Sequence, residues 1–448
     1  MEKEGERDSI ILQYLTEEGY AYTSAIYRDV LNEFSIATVR RDMKYLHSRG
    51  LVEYRELPTT SGKGSGERVF SITEEGMKSL GIQKPQIQLH QKAMQRVNGQ
   101  KLRHYLMMRK VERAINQSIA SSKAYTPESL NEFKDHRGDL KIKMREKTQE
   151  IPIHPDARLR IFRNTGERFT MAMEMDMGSE TIEATVVKKF KAYSTFLQSD
   201  SIPSYAATAP IYLLFITSAP RIENIIPKVR QLKSSRNFLF LPIEKLDEKN
   251  LFLDPVFLDC HHTLFSLSQL LEQRECLLYF QETLQKAAQK QTRYKISSHS
   301  LYSSAPDPFF PILLHAESKS TLWSPHGYLR IYAEKEGQLQ EKLFALLLDY
   351  SLGTDEEFRQ KLHFAQIFLT QDQYLRRITA SKCHGCMILL KNSDNMALLT
   401  PLLASFPHLL KRCRILLMEN CTQEKVLHEA VWVDMRNGKG VRVLPFGG

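Results

Sequence analysis

The feature that most constrains this chain is a likeness between its middle and its end. PDARLRIF at 155–162 returns as PHGYLRIY at 325–332, and EMDMGSE at 174–180 returns as DYSLGTD at 349–355 with its central Gly kept. YLLFIT from 212 matches CMILLK from 386, FLFL from 238 matches CRIL from 413, and VFLD at 256–259 matches VWVD at 431–434. The offset is 170 residues in the first block and 174 or 175 in the others. Five blocks in one order at a steady offset define a duplicated α/β domain of about 110 core residues. In the first copy the pattern predicts strands at 157–162, 168–175, 211–216, 238–242 and 256–259, with helices at 180–197 and 222–232. The stretch 261–300, with SLSQLLEQRECLLYFQETLQKAAQK, reads as a helical connector between the copies.

The first eighty residues read as a separate unit. SIILQYLTEEG and YTSAIYRDVL give two short amphipathic helices, and SIATVRRDMKYLHSRG a third. In the third, Ser35 is a suitable N-cap, and Ile36, Val39, Met43 and Leu46 repeat at helical spacing. Burying that stripe leaves Thr38, Arg40, Arg41, Lys44 and Tyr45 on or near the outward surface, and Gly50 ends the helix. LVEYRELP and RVFSIT then form two strands around the Gly-rich loop TTSGKGSGE, which carries Lys63 and is flanked by Arg68. Three helices and a hairpin in this order predict a winged helix-turn-helix. Such domains place the third helix in the major groove and the wing on phosphates or in the minor groove.

Charge supports a nucleic-acid partner. The net charge is +10, and the segment from Lys78 to Thr148 holds sixteen Lys plus Arg against six Asp plus Glu, so the rest of the chain sums to zero. Within it, QLHQKAMQRVNGQKLRHYLMMRKVERAINQSIA predicts a helix whose cationic face carries Lys101, Arg103, Arg109 and Lys110. A basic face beside a DNA reader points to phosphate contact.

In each copy a hairpin crosses by a helix to another strand, the core order of the restriction-endonuclease-like PD-(D/E)XK fold. There, an Asp at one strand start and a Glu at the next strand end hold Mg²⁺, and a Lys two residues beyond polarises water. Asp156 and Glu174 stand at the metal positions, but Asp176 occupies the place of the lysine, so Lys188 or Lys191 on the next helix would have to substitute. The second copy has His326, Asp349, Ser351, His363 and Gln366 at the corresponding places and is read as structural.

The chain also resembles the replication-relaxation proteins of plasmids and integrated conjugative elements, grouped with mobilisation accessory proteins. The resemblance covers about residues 1–260. It rests on the N-terminal unit, Pro155-Asp156-Ala157, the Glu174, Asp176 and Gly178 pattern, KKFKAY with Tyr193, and LLFITSAPR at 213–221. It implies DNA binding in replication or transfer of a mobile element.

Together these readings give an α+β multidomain chain. Residues 1–82 are the winged helix, 83–150 a basic helical linker, 151–260 the first restrictase-like module, 261–300 the connector and 301–448 a degenerate second module. The expected partners are double-stranded DNA, a relaxase, replication or conjugation protein, and a second copy of the chain. The leading function is a non-catalytic DNA-binding scaffold. A Mg²⁺-dependent endonuclease and a winged-helix transcriptional regulator remain alternatives, and Mg²⁺ is the cofactor of the nuclease reading alone. No Walker loop, HExxH or nucleophile triad is present. Six cysteines in 448 residues fit reduced, buried thiols, including Cys383 and Cys386 of the CHGC stretch. The lack of an eighteen-residue apolar run and the polar start MEKEGERDS predict a cytoplasmic protein without a membrane anchor.

Overall fold

A computed structural model describes residues 2–57, 67–97, 100–131, 142–146, 149–163, 166–178, 180–197, 211–232, 234–247, 250–260, 262, 264–290, 294–300, 312–316, 319–323, 327–335, 338–349, 355–370, 383–391, 393–427, 429, 432–436 and 439–443. The chain is α+β, with several sheets. Lys63 lies outside the described residues.

The N-terminal unit runs α1 (Glu2–Glu18), β1 (Tyr20–Tyr22), α2 (Thr23–Val30), α3 (Ile36–Ser48), β2 (Val52–Leu57), β3 (Glu67–Ile72), α4 (Glu74–Ser79) and α5 (Lys84–Arg96). Ser35 caps α3 by accepting the Thr38 N–H at 3.1 Å, and Gly50 leaves the helix with φ +71°. Val39, Met43 and Leu46 of α3 are buried with Ile11, Leu15, Ile26, Val52 and Ile72. The sheet has the order β1-β3-β2, so the hairpin gains a third strand from Tyr20–Tyr22.

From there the chain builds two larger sheets. The first is laid down by α6 (Gln100–Ala120), β4 (Thr126–Asn131), a separate hairpin of β5 (Ile142–Glu146) and β6 (Gln149–Ile153), β7 (Ala157–Arg163), β8 (Gly166–Met175), a π-helical turn (Ile182–Val186) leading into α7 (Val187–Phe196), β9 (Ile211–Thr217), α8 (Ala219–Val229), β10 (Phe238–Pro242), β11 (Phe257–Leu258) and β12 (Leu264–Phe265). Its order is β4-β7-β8-β9-β10-β11-β12, with β8, β9 and β10 parallel and every other pairing antiparallel.

The second follows α9 (Leu267–Gln289) through β13 (Tyr294–Ser300), the hairpin β14 (Ile312–Ala316) and β15 (Lys319–Trp323), β16 (Gly327–Lys335), β17 (Gln338–Asp349), α10 (Asp355–Thr370), β18 (Cys383–Leu390), α11 (Ser393–Ala404), α12 (Pro407–Leu410), β19 (Cys413–Leu417), β20 (Trp432–Arg436) and β21 (Lys439–Val443). Its order is β13-β16-β17-β18-β19-β20-β21, again with the third, fourth and fifth strands parallel and the rest antiparallel.

One apolar core joins the two sheets. Val111, Ile115 and Ile119 of α6 and Phe280, Leu284 and Ala287 of α9 lie in it with Leu159, Met171 and Leu214 of the first sheet and Leu346, Leu389 and Trp432 of the second. The Phe280 and Trp432 rings meet edge to face at 6.2 Å. The outer face of the first sheet is covered by α7 and α8, and that of the second by α10, α11 and α12. Within the segments expected as linker and connector, α6 and α9 are therefore core helices, because each has an apolar stripe that a sheet face buries, and β4, β12 and β13 of the same segments are strands of the two large sheets. Cys386 sits in β18, and Cys260, Cys276, Cys386, Cys413 and Cys421 are buried.

Candidate functional site

Two places gather the residues that the sequence singles out. The first is the outward side of α3. Arg40, Arg41, Lys44 and Tyr45 are exposed there, with Tyr45 at 52 % and the Arg49 guanidinium 5.5 Å from its ring. Thr38 is half-buried and spends its hydroxyl on the cap, 3.0 Å from Ser35 Oγ. Among the described residues Arg41 has a loose ion pair at 3.9 Å with Asp42, which Arg7 holds at 2.9 Å. On the hairpin, exposed Arg68 lies over the Tyr54 ring and 3.3 Å from Glu56.

The cations of α6 separate. Lys101 is exposed and Arg103 half-buried, while Lys110 reaches Asp247 at 2.5 Å. Arg109 is not a surface cation. It is 4 % exposed and paired with Glu18 and Glu112, so it cannot meet a phosphate where it stands. Tyr105, Arg109 and Arg113 fall at i, i+4 and i+8 and all contact the N-terminal unit. Tyr105 donates to the Glu18 carbonyl at 2.8 Å, and Arg113 pairs with Asp29 at 2.9 Å.

The second place is the shared end of β7 and β8. Ala157 is opposite Met173 in the antiparallel register, which sets Asp156 beside Glu174. The Asp156 N–H donates to the Met173 carbonyl at 2.9 Å, and its Oδ2 accepts the Met175 N–H at 2.8 Å. His104, from α6, brings Nε2 to 3.2 Å from the same Oδ2 and to 3.0 Å from the Met175 carbonyl. A nitrogen facing a carbonyl and a carboxylate must carry its proton. Burial would lower the His104 pKa, but the hydrogen bond and charge of Asp156 outweigh it and raise it.

Glu174 is 3 % exposed, and both its oxygens are engaged: Tyr193 donates to Oε1 at 2.7 Å and Lys189 to Oε2 at 3.2 Å. Burial, then the Asp156 charge, push its carboxyl up to about 7. Lys189 also reaches Glu180 Oε1 at 3.0 Å. Burial works against its charge, yet the carboxylates Glu174, Glu180 and Asp156 raise its pKa.

Asp176 is taken by Arg221 of α8, with Nε at 2.8 Å and Nη2 at 2.5 Å from Oδ2, while Oδ1 accepts the Gly178 N–H at 2.8 Å. Gly178 has φ +86°, a turn that Gly takes without strain.

The lysine at this cluster is Lys189. Lys188 and Lys191 are exposed, facing away. The π-helical turn at Ile182–Val186 sets the phase of α7, so that Lys189 and Tyr193, four residues apart, face Glu174. Sequence reasoning also missed His104, Glu180 and Arg221. A histidine amid lysines and arginines gives no local sign of the strand end it meets 71 residues away.

Mg²⁺ between Asp156 and Glu174 does not fit this donor set. Both Glu174 oxygens and Asp156 Oδ2 already accept from protein donors, and the Arg221 guanidinium answers the charge of Asp176. Among the described residues, no group of three or more His, Cys, Asp or Glu is arranged to hold a metal ion. Nor is any described helix long and apolar enough to cross a membrane.

Fold and site thus define an α+β protein with a cation-bearing helix at one end and an internally paired carboxylate cluster at a sheet end. Residues 12–210 match the family model described as Replication-relaxation, so over that segment the chain is similar to this family. The match spans α1 to α7 and stops just before β9, so the second sheet lies outside it. No curated protein and no solved structure matches the chain.

Proposed function

We propose that the chain is a double-stranded DNA-binding protein that acts in replication or mobilisation of a plasmid or conjugative element, as a non-catalytic scaffold. The observation that carries this reading is the outward face of α3, where Arg40, Arg41, Lys44 and Tyr45 stand exposed on a helix that buries its opposite stripe. The order α1, β1, α2, α3 and the β2–β3 hairpin supports a winged helix, in which α3 enters the major groove and Arg68 lies beside the wing. The family match supports a process in replication or mobilisation.

The matching order and sense of the two large sheets support a duplicated, restriction-nuclease-like unit, with the second copy serving assembly. The scaffold part of the proposal follows from the carboxylate cluster, whose acids are answered by Lys189, Arg221 and His104. The adjacent placement of Asp156 and Glu174 is the one observation that favours the nuclease instead. Cleavage of supercoiled DNA in Mg²⁺ or Mn²⁺ by the parent, and not by an Asp156→Ala, Glu174→Ala variant, would establish that alternative.

The test of binding is fluorescence anisotropy with labelled duplexes across a salt series. Affinity should fall steeply with salt as counterions are released. Arg40→Ala and Arg41→Ala should weaken site-specific binding by roughly 1–3 kcal/mol for each base edge the guanidinium reads. Absence of duplex binding at low salt would overturn the proposal.

A further inference from the structure

We infer that His47 of α3 is a further DNA-contact residue, one that engages a backbone phosphate in its protonated form alone, so that affinity for duplex DNA rises as pH falls. This rests on the DNA-binding half of the proposed function and is independent of the carboxylate cluster.

Helical spacing sets the place. Arg40, Lys44 and His47 fall at i, i+4 and i+7, and all three are exposed, so they form one stripe along the outward side of α3. At the C-terminal end of α3 the stripe meets the hairpin. The His47 ring packs edge to face against Tyr54 of β2, with centroids 4.9 Å apart. The Arg68 guanidinium of β3 lies 4.6 Å from the centroid of the same tyrosine. Arg40, Lys44, His47, Tyr54 and Arg68 thus run as one line from α3 to the hairpin. Such a line suits a DNA strand whose backbone passes from helix to hairpin, because phosphates are met by cations spaced along their path.

The tautomer decides what His47 can offer. Its Nδ1 lies 3.0 Å from the Val52 carbonyl oxygen, and a carbonyl only accepts, so Nδ1 carries a proton in either charge state of the ring. In the neutral ring Nε2 then presents a bare lone pair, which a phosphate oxygen repels. In the imidazolium Nε2 carries a proton and donates to that oxygen. Imidazole is the side chain that changes charge between pH 5 and 8.

The charged groups around α3 have other partners. Asp42 is held by Arg7, and Arg49 lies 3.9 Å from Asp8 of α1. α3 packs against α2 and β2. On α2, Asp29 takes Arg28 and, from α6, Arg113. On β2, Glu56 pairs with Arg68. Glu53 and Arg55 flank Tyr54 and point to the other face of the hairpin, where Glu53 accepts from Ser71 and Arg55 lies over the Tyr20 ring. Among the described residues His47 has no ion pair, so a phosphate would be its first anionic partner.

Fluorescence anisotropy with a labelled duplex, over a salt series at pH 5.5 and at pH 8, tests this. Parent affinity should be about three- to tenfold higher at pH 5.5, as expected of one charge-assisted hydrogen bond. Its slope of log affinity against log salt should be steeper there by about 0.9, the mark of one further phosphate. His47→Asn, whose amide can still donate to the Val52 carbonyl, should lose both differences and bind at pH 5.5 as the parent does at pH 8. His47→Arg, charged at both pH values, should show the steeper slope at pH 8 as well. A purely structural role would move neither slope. Should His47→Asn lack a folded circular dichroism spectrum, His47→Phe, which keeps a ring against Tyr54, takes its place.

Equal salt slopes at the two pH values in the parent would overturn the inference. So would a folded Asn or Phe variant that keeps the parent's pH dependence, or failure of both to fold. Absence of duplex binding by the parent at low salt and either pH would sink the reader assignment, and this inference with it. Binding that ignores pH would sink the role of His47 and leave the reader assignment standing.

Discussion

Arg109 of α6 grips Glu18 at the end of α1, with Nε 3.0 Å from Oε2 and Nη2 2.5 Å from Oε1, both side chains buried. The same glutamate receives Arg113, and Arg113 continues to Asp29. His104, five residues before Arg109 on the same helix, ends at Asp156. One helix therefore ties the N-terminal unit to the carboxylate cluster through side chains whose polar groups are almost all engaged.

Truncating Arg109 should unfold rather than merely loosen this joint. Arg109→Ala leaves Glu18 and Glu112 buried with a deficit of positive charge, and breaking a buried pair from one side costs about 3–5 kcal/mol. Urea unfolding followed by circular dichroism reads this directly. A loss below about 1 kcal/mol would mean that water enters and replaces the guanidinium.

The exposed cations should behave differently. Lys101→Ala removes an exposed charge with no ion pair among the described residues, so unfolding in urea should stay within about 0.5 kcal/mol of the parent. If Lys101 touches a phosphate, the slope of log affinity against log salt should fall by about 0.9. An unchanged slope would place Lys101 outside the DNA footprint.

The joint core makes a third expectation. Phe280 of α9 packs edge-on against Trp432 of β20, and both are fully buried. Phe280→Ala should cost about 3–5 kcal/mol through the cavity it leaves. In a Trp323→Phe background, Trp432 is the sole indole of the two in the chain. Its emission should then shift to the red at lower urea than in the same background with Phe280 intact. A variant with an unmoved transition would show that α9 is dispensable for the second sheet.

Much of this fold was legible from period and punctuation. The stripe Ile36, Val39, Met43 and Leu46, with Ser35 before it and Gly50 after, marks α3 with its cap and its end. In the first large sheet, every strand and helix read from the sequence has a counterpart within three residues. What escaped was set by residues far along the chain. Tyr20–Tyr22 is too short to announce itself as a strand and is one only because β3 pairs with it. Arg109 and Lys101 look alike in a basic helix, and only the acidic Glu18 coming from another element makes one of them internal. Lys189 was passed over for its neighbours because a π-helical turn shifts the phase of a helix, and sequence period assumes none.

The last expectation concerns pH. Glu174 titrates from an ordinary value of 4.5 in the unfolded chain to about 7 in the folded one, through burial and then the charge of Asp156. The folded state thus binds the proton more tightly than the unfolded state does, and stability must fall as pH rises between these values. The contribution is complete below about 4.5 and is lost as pH climbs through about 7. His104 is also raised, by Asp156 against burial, so its contribution is lost on the same alkaline side. The melting temperature attributable to the cluster should therefore decline from pH 5 to pH 8. Glu174→Gln keeps a neutral side chain of the same shape at every pH, so its melting temperature should decline less over that range, with the residual slope coming from His104 and other groups. The readout is the difference between parent and variant, measured by circular dichroism at unit pH steps in one buffer series. Parallel curves across pH 5 to 8 would show that Glu174 keeps its ordinary affinity for protons, and that Lys189 and Tyr193 hold it ionised.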